Sequence, residues 1–426
     1  MANRIFPIKV EPACLLKWSW SSVFLHTGTS ASCHRTEHYQ IDPNNFDEFH
    51  NLPEKIIARD RMLNGIWPGA GCEHCRNIES AGGISDRIYQ LDAQSDIIQH
   101  PPELNTDPTA TRVTPTILEV YFKNTCNMAC TYCGSNFSSR WADEDRKFNP
   151  SQIKVEPKQL TADQYRKMVD NLWAYLEKDN RYLTLHRYHI LGGEPFLLSE
   201  LDESIEFWEQ HPNINLIFGI VSNLNIPTER FKQYVDRFEK LVLGNKVWKL
   251  QITASLDAWG PEQEYVRYGL DLDTWQRNFE LLVSKSWVAL SINSTMSSLT
   301  IKHMPELIKK INHWNSLRGV EYRTEDHVFN EPILHSFQTV IGHIDNPYVF
   351  GDEFNDSMNE IVNLMPTDSD AQKASRAQMQ SIADALKQAQ HSPAEINKLK
   401  EYLDNLDMRR KTNWRKLFPW LDKDFE

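Results

Sequence analysis

Apolar runs alternate with amphipathic stretches through the middle of the chain. Strands are predicted at 116–122, 185–191, 214–221, 248–256, 287–292 and 320–322. Helices are predicted at 161–176, 199–210, 228–243, 274–284 and 304–315. About six strand–helix units favour an α/β fold with a parallel sheet. Right-handed crossovers between parallel strands would curl such a sheet into a partial (β/α)6, TIM-like barrel.

The first hundred residues have a different, mixed pattern. Alternation along 14–28 predicts an aromatic-rich strand that places Trp18, Trp20 and Ser22 on one face. Gly28 then permits a hairpin turn, and a return strand is expected from residue 29 to residue 34. Helical stretches follow near 46–63 and from residue 76 onward.

These patterns divide the chain into three predicted parts. A polar run at 99–111, rich in Pro and Thr, is typical of a linker, so the first boundary is placed near residue 105. The parts are a small α+β domain, the barrel and a C-terminal helical extension, at 1–104, 105–345 and 346–426. A long polar loop is predicted at 136–158, and a capping box is predicted at Ser392–Glu395.

Composition narrows the function classes. The chain has 426 residues and a formal net charge of −12, which argues against broad binding to nucleic-acid phosphates. No run approaches the roughly 18 apolar residues of a membrane span, and the N-terminus lacks a signal-peptide core. A cytoplasmic location is therefore expected. In that reducing compartment, seven cysteines suggest metal or redox chemistry rather than disulfides.

Three cysteines fall within eight residues directly after the first predicted barrel strand. Cys126, Cys130 and Cys133 have the spacing C-x3-C-x2-C, with Tyr132 just before the last cysteine. One loop can thus present three thiolates to one centre, and an iron–sulfur cluster held by three thiolates keeps one iron open for another ligand. A zinc knuckle or a metal-free loop is the alternative for the spacing alone.

Polar residues also follow the other predicted strands. They are Gly192, Gly193, Glu194 and Pro195 after the second strand, Ser222 and Asn223 after the third, Ser255 and Asp257 after the fourth, with Arg267 beyond them, and Asn293 after the fifth. In parallel barrels the active site lies at the carboxyl ends of the strands, so these residues are expected to converge. Beyond the sixth strand, Glu325, Asp326 and His327 are candidate substrate groups or proton donors, with a solvated loop as the alternative.

In this order and spacing, the motifs of residues 116–270 are similar to those of the radical S-adenosylmethionine (SAM) enzymes. The resemblance implies that Cys126, Cys130 and Cys133 hold a [4Fe–4S] cluster whose open iron takes the amino and carboxylate groups of SAM. It further implies that the Gly192–Pro195 segment meets the SAM amino group, with the Glu194 carboxylate as an acceptor.

Other positions acquire roles from the same resemblance. Ser222 and Asn223 resemble a segment near the ribose, although Asn225 departs from the glycine of that pattern. Ser255 and Arg267 resemble the pair that holds the SAM carboxylate, within a segment that includes Asp257. Asn293 lies where adenine contacts are expected.

The N-terminal cysteines form a second pattern. Cys14, Gly28 and Cys33, followed by Cys72 and Cys75, resemble the twitch domain, a shortened SPASM domain that holds one auxiliary [4Fe–4S] cluster. Most relatives carry this domain after the barrel, whereas here it comes first. A structural zinc site with the same four ligands is the alternative. If all four cysteines bind a cluster, no iron is open and the cluster would transfer electrons.

The resemblance implies reductive cleavage of SAM to a 5′-deoxyadenosyl radical, which abstracts hydrogen from a C–H bond. A peptide or protein side chain is the leading substrate class, with a crosslink, an epimerisation or an oxidation as the outcome. Oxidation of a small molecule such as a sugar alcohol or nucleotide is the alternative, and a non-catalytic iron–sulfur or zinc scaffold is a third. A flavodoxin- or ferredoxin-type reductant is the expected partner; neither a membrane nor a nucleic acid is expected.

Overall fold

The computed structural model of the protein describes residues 14–33, 35–69, 71–80, 85, 87–88, 111–149, 158–318, 322–323, 328–329, 331–340 and 342–423. Within them, strands β1–β11 are Trp20–Phe24, Thr29–Ala31, Tyr39–Gln40, Ile117–Tyr121, Arg187–Leu191, Asn213–Ser222, Val247–Ser255, Val288–Met296, Tyr322–Arg323, Val328–Phe329 and Leu334–Thr339. Helices α1–α14 are Leu16–Ser19, Pro53–Leu63, Glu73–Ser80, Ser139–Phe148, Ala162–Glu177, Ser199–Gln210, Thr228–Leu243, Pro261–Val266, Leu272–Val283, Met304–Arg318, Asn355–Leu364, Asp370–Leu386, Pro393–Arg410 and Trp414–Leu417.

The described strands confirm the α/β prediction. Nine of them form one sheet in the order β11-β8-β7-β6-β5-β4-β1-β2-β3, and β9 and β10 form a separate antiparallel pair. The pairs β1–β4, β4–β5, β7–β8 and β8–β11 are parallel, whereas β1–β2 and β2–β3 are antiparallel. The sheet is therefore mostly parallel, as the alternation of strands and helices predicts.

The chain forms two compact units. Unit 1 comprises Met1–Lys123, Glu156–Leu191 and Phe207–Phe218, and unit 2 comprises Asn124–Val155, Gly192–Glu206 and Gly219–Glu426. None of the helices that the structure describes is both long enough and apolar enough to span a membrane.

In unit 1, the strands β1, β4 and β5 bury one face completely. Val23, Val120 and Ile190 lie side by side on it and are all 0% exposed, which explains the β-branched residues at these positions. Helix α5 begins at the predicted position, where the Thr161 hydroxyl and the Gln164 side chain form a capping box.

The N-terminal strand is shorter than predicted. Residues 16–19 form the short helix α1, and the strand begins only at Trp20, so Trp18 does not belong to an alternating strand face. In this helical turn, the Ser19 N–H and hydroxyl both donate to the Leu15 carbonyl. The hairpin is confirmed, because Gly28 adopts a φ of 67° and β2 returns antiparallel to β1.

Unit 2 is built on the parallel strands β7, β8 and β11. Their buried face and the C-terminal helices share an apolar cluster that includes Met304, Phe337, Met379, Leu399 and Trp414. The predicted extension is therefore helical, but its helices pack into the core of this unit. The helices beyond residue 353 contribute to this apolar cluster because their leucines recur at helical spacing and therefore lie on one face.

Three predictions in unit 2 are wrong. The segment 136–158 is not one long loop, because α4 begins after Ser138, whose hydroxyl accepts from the Trp141 N–H. The strand beside β8 is β11, whereas the segment near residue 322 pairs with β10. Ser392 makes no side-chain cap, although Pro393 does begin α13 as expected. The predicted linker boundary near residue 105 lies outside the described residues.

Candidate functional site

The three-cysteine loop of unit 2 is held by backbone hydrogen bonds to distant segments. The N–H groups of Ala129 and Thr131 donate to the carbonyls of Tyr268 and Val266, at 2.9 and 2.8 Å. At its start, the Thr125 carbonyl accepts from the Glu194 N–H at 2.7 Å. The loop is therefore fixed against the turn after β5 and against the segment that leads to Arg267.

The thiols of this loop lie close enough to influence one another. Burial and, to a smaller extent, the neighbouring Cys130 raise the pKa of Cys126 and of Cys133 to about 12. The positive charge of Arg267 opposes this effect at all three cysteines. Three soft donors thus lie in a largely desolvated loop, within the electrostatic influence of one cation. Binding of iron would remove their protons, because the thiolate is the ligand.

Asn223 connects the end of β6 to the cysteine loop. Its Nδ2 lies 3.8 Å from the Cys126 sulfur and donates to Asn127 Oδ1 at 2.9 Å. Asn127 in turn donates to the Asn225 carbonyl at 2.6 Å. Asn223 is therefore next to the sulfur of Cys126. The expectation that Asn223 lies near the ribose of SAM does not mention this contact.

The Gly192–Pro195 turn has a conformation that requires glycine. Gly192 and Gly193 have φ values of 83° and 57°, which disfavour residues with a Cβ. Pro195 begins a short 3-10 helix, Pro195–Leu197. The Glu194 carboxylate is fully buried and accepts from Ser222 Oγ at 2.8 Å, from the Asn223 N–H at 2.7 Å and from the Phe196 N–H at 3.1 Å.

The geometry adds roles inside the protein for Glu194 and Ser222. Both oxygens of the buried Glu194 carboxylate accept hydrogen bonds within the protein, which fixes the turn against the end of β6. Ser222 likewise uses its hydroxyl inside the protein, donating to Glu194 and accepting from the Leu224 N–H at 2.8 Å. Both residues thus shape the turn from within.

Arg267 and Asp257 form the central charged pair. Arg267 Nε and Nη2 donate to the two Asp257 oxygens, each at 2.8 Å, and Asp257 is 0% exposed. Asp257 also accepts from the Tyr132 hydroxyl at 2.7 Å and from the Thr295 N–H at 2.8 Å. The aromatic residue of the cysteine motif is thus tied to the charged pair, whose guanidinium lies 5.6 Å from the Tyr132 ring centre.

Ser255 and Asn293 are neighbours on adjacent strands. They are directly paired in the register of β7 and β8, and Ser336 of β11 occupies the next position of the same row. Ser336 donates to Asn293 Oδ1 at 3.2 Å. All three side chains are at least partly exposed, so the sheet presents a row of uncharged polar groups here.

Several residues around the cysteine loop are absent from the sequence prediction. Trp141 Nε1 donates to the Cys130 carbonyl at 2.7 Å, and Arg140 donates to the Asn127 carbonyl at 2.6 Å. The Tyr402 hydroxyl donates to the Thr131 carbonyl at 2.8 Å. No local motif marks Tyr402, because it lies 271 positions after Thr131, the residue that it contacts.

The four N-terminal cysteines line one cavity of unit 1. The wall of the cavity contains Cys14, Cys33, Cys72 and Cys75 together with Lys17. Burial raises the pKa of Cys14 to about 12 and raises those of Cys33 and Cys72 as well. Lys17 is 6% exposed, hydrogen-bonds Cys72 and lowers the pKa of Cys14, Cys33 and Cys72. The structure thus brings the predicted ligand set together and adds a buried cation to it.

The donor chemistry in both units fits iron–sulfur clusters, since thiolates are their ordinary ligands. Within the described residues, no group of three Cys, His, Asp or Glu side chains converges closely enough to hold a single metal ion. A four-iron cluster has its thiolates further apart, because each binds a different iron. Glu325, Asp326 and His327 lie outside the described residues.

No protein-family model matches the chain, and no curated protein matches it either.

Proposed function

We propose that the protein is a radical SAM enzyme, with unit 2 carrying the SAM site on a partial barrel. The observation that carries the proposal is the arrangement around Arg267. Its positive charge lowers the pKa of all three thiols of one loop, and its guanidinium is held by Asp257, which also binds the aromatic residue of the cysteine motif. A scaffold protein has no evident use for such a cradle.

The residues of unit 2 would share the work of binding. Cys126, Cys130 and Cys133 would hold a [4Fe–4S] cluster with one open iron. When bound, this cluster supplies the electron that cleaves SAM to methionine and a 5′-deoxyadenosyl radical. Asn223 places an N–H donor beside the Cys126 sulfur, which stabilises negative charge on the thiolate.

Recognition of SAM would use groups that the protein leaves free. The backbone carbonyls of the Gly192–Gly193 turn would accept from the ammonium group. Asp257 engages Nε and Nη2 of Arg267, so Nη1 is the nitrogen left for the SAM carboxylate, with Ser255 at the end of β7 as a second donor. Tyr132 and Asn293 would border the adenosine part.

The four cysteines of unit 1 would hold an auxiliary [4Fe–4S] cluster in a twitch-like domain. With every iron bound by a thiolate, this cluster would accept or relay one electron and would not bind substrate. We propose a peptide or protein side chain as the substrate class and a flavodoxin- or ferredoxin-type protein as the external reductant.

The test is anaerobic reconstitution of the full chain, followed by iron and sulfide counting. Dithionite and SAM are then added, and 5′-deoxyadenosine is measured. Two clusters of iron and formation of 5′-deoxyadenosine are expected. Zinc in place of iron, or intact clusters without SAM cleavage, would instead indicate a scaffold or an electron carrier.

Two variants sharpen this test. Arg267→Lys retains a positive charge but loses the two-pronged pairing, so it is expected to keep both clusters while weakening SAM binding. Lys309→Arg, in an exposed part of α10, is the matched control and is expected to behave as the wild type. Equal SAM affinity in Arg267→Lys and the wild type would remove Arg267 from the proposed SAM site.

A further inference from the structure

A row of polar side chains crosses one face of unit 1, two residues along the strands from Trp20 and Ile117, which pack in the same apolar cluster as Cys14 and Cys72. Ser22, Glu119 and His189 are directly paired on the parallel strands β1, β4 and β5. Directly paired residues of parallel strands project to the same face, so the three side chains form a continuous row. This face is opposite the one that buries Val120.

The row carries charges that are unusual inside a sheet. Ser22, Glu119 and His189 are 0%, 5% and 8% exposed. The Ser22 hydroxyl donates to Glu119 Oε2 at 2.5 Å. Arg187 stands two residues before His189 and therefore on the same face. Burial lowers the pKa of Arg187, and the negative charge of Glu119 counters this shift in part, because the two opposite charges attract each other.

His189 has an unsatisfied polar atom at this position. Its Nε2 is buried and has no hydrogen-bond partner among the residues that the structure describes. Burial and, to a smaller extent, Arg187 lower the pKa of His189 to about 3, so the imidazole is neutral near pH 7. A buried polar atom without a partner costs about 1–3 kcal/mol, so a partner from outside the protein would bind favourably.

We propose that Ser22, Glu119 and His189 form the wall of a binding site for a neutral ligand that carries a hydroxyl group. The hydroxyl bonds to His189 Nε2. A hydroxyl oxygen both donates and accepts, so this single atom serves either tautomer of the neutral imidazole. Because Arg187 already balances Glu119, a charged ligand would bring an uncompensated charge into the site.

This site stands on unit 1 alone, whether or not the radical chemistry proposed above operates. It can be tested with the full chain labelled with ¹⁵N-histidine. The Nε2 resonance of His189 is assigned by its absence from His189→Gln, and glycerol, glycerate and serinol serve as neutral, anionic and cationic probes. Glycerol is expected to shift this resonance saturably, and the two charged probes are expected to bind at least about tenfold more weakly.

A second variant tests the charge balance. Glu119→Gln keeps an acceptor for Ser22 but leaves Arg187 uncompensated, so the preference is expected to reverse in favour of glycerate. His186→Gln, just before β5, is the matched control and should leave the response of the His189 resonance to glycerol unchanged.

Three results would overturn the inference. The first is a His189 resonance that does not respond to glycerol, and the second is an equal response to all three probes. The third is an unchanged preference for glycerol in Glu119→Gln. His189→Gln is needed only to assign the resonance. If it fails to fold, His189→Asn serves for the assignment, and the titrations of the wild type and of Glu119→Gln still decide the test.

Discussion

The Arg267 guanidinium and the Asp257 carboxylate form a two-pronged ion pair, with both N–O distances at 2.8 Å. Their side chains are 8% and 0% exposed. Because neither charge is well solvated, each charged side chain is stabilised mainly by the opposite charge of the other. The pair also links Tyr132 of the cysteine loop to the backbone at Thr295, so one buried contact joins three segments of unit 2.

Removing one partner of this pair is expected to destabilise the fold strongly. Asp257→Asn leaves Arg267 buried without a counter-charge, which costs about 3–5 kcal/mol of unfolding free energy. The measurement is urea denaturation of the protein without metal, so that loss of cofactor does not contribute. The double variant Asp257→Asn/Arg267→Met is expected to lose less than the single one, because it no longer buries a lone charge.

An exposed pair supplies the matched control for Asp257→Asn. Arg166 and Asp170 are 46% and 61% exposed and are four residues apart on α5. Asp170→Asn is expected to change the unfolding free energy by less than about 1 kcal/mol. Similar losses for Asp170→Asn and Asp257→Asn would contradict the importance of the buried pair.

The two cysteine sets are expected to bind iron independently. A Cys126→Ala/Cys130→Ala/Cys133→Ala variant should retain one cluster's iron and sulfide after anaerobic reconstitution and should form no 5′-deoxyadenosine. Cluster content is measured by iron and sulfide analysis together with electron paramagnetic resonance after reduction.

The reciprocal variant is the control for the division of the seven cysteines into a set of three and a set of four. Replacing Cys33, Cys72 and Cys75 with Ala should remove the other cluster and leave SAM-dependent cleavage measurable. If either variant loses all of its iron, the partition into four and three ligands is wrong.

Lys17 is expected to set the reduction potential of a cluster in unit 1. A buried cation beside the thiolates favours the reduced, more negative cluster, so Lys17→Met should lower the midpoint potential by an amount on the order of tens of millivolts. The measurement is a redox titration monitored by electron paramagnetic resonance. Lys17→Arg, which keeps the charge, should stay closer to the wild type.

An exposed lysine of the same unit is the control for Lys17. Lys178 is 56% exposed and pairs with Asp47 on the surface. Lys178→Met should leave the midpoint potential unchanged. An unchanged potential in Lys17→Met as well would show that the buried cation does not act on the cluster.

His335 is expected to make the stability of the fold depend on pH. Burial lowers its pKa from 6.5 to about 3, and its Nε2 lies 2.6 Å from the Ser294 hydroxyl. The unfolded chain therefore binds more protons between these two values, and stability falls as the pH falls through that window. At pH 4.5 this amounts to about 2–3 kcal/mol, relative to pH 7.

The comparison of two histidine variants isolates this effect. His335→Gln should weaken the loss of stability between pH 7 and pH 4.5, measured by urea denaturation at both values. His313→Gln, at an exposed position of α10, should show the same pH dependence as the wild type. Identical pH profiles for both variants would exclude His335 as a source.

Local patterns predict several of the helices closely. The bounds of α6 and α7 agree with the prediction, and Thr161 caps α5 at the predicted start of that helix. The strand β11 was missed although His335 and Phe337 alternate with exposed residues, because the segment is short. Helix α4 was missed because its residues are mostly charged, and charged runs are also typical of loops.

Local sequence patterns were sufficient to identify which residues follow the ends of the strands, because strand and helix periods are local properties of the chain. They also identified the two sets of cysteines through their spacing. Which distant groups contact one another became apparent from the folded structure alone. Glu194 turned inward to Ser222, Lys17 became enclosed among the cysteines of unit 1, and Tyr402 reached the cysteine loop. Such contacts join residues far apart in the sequence, so they depend on how the elements pack and carry no local pattern.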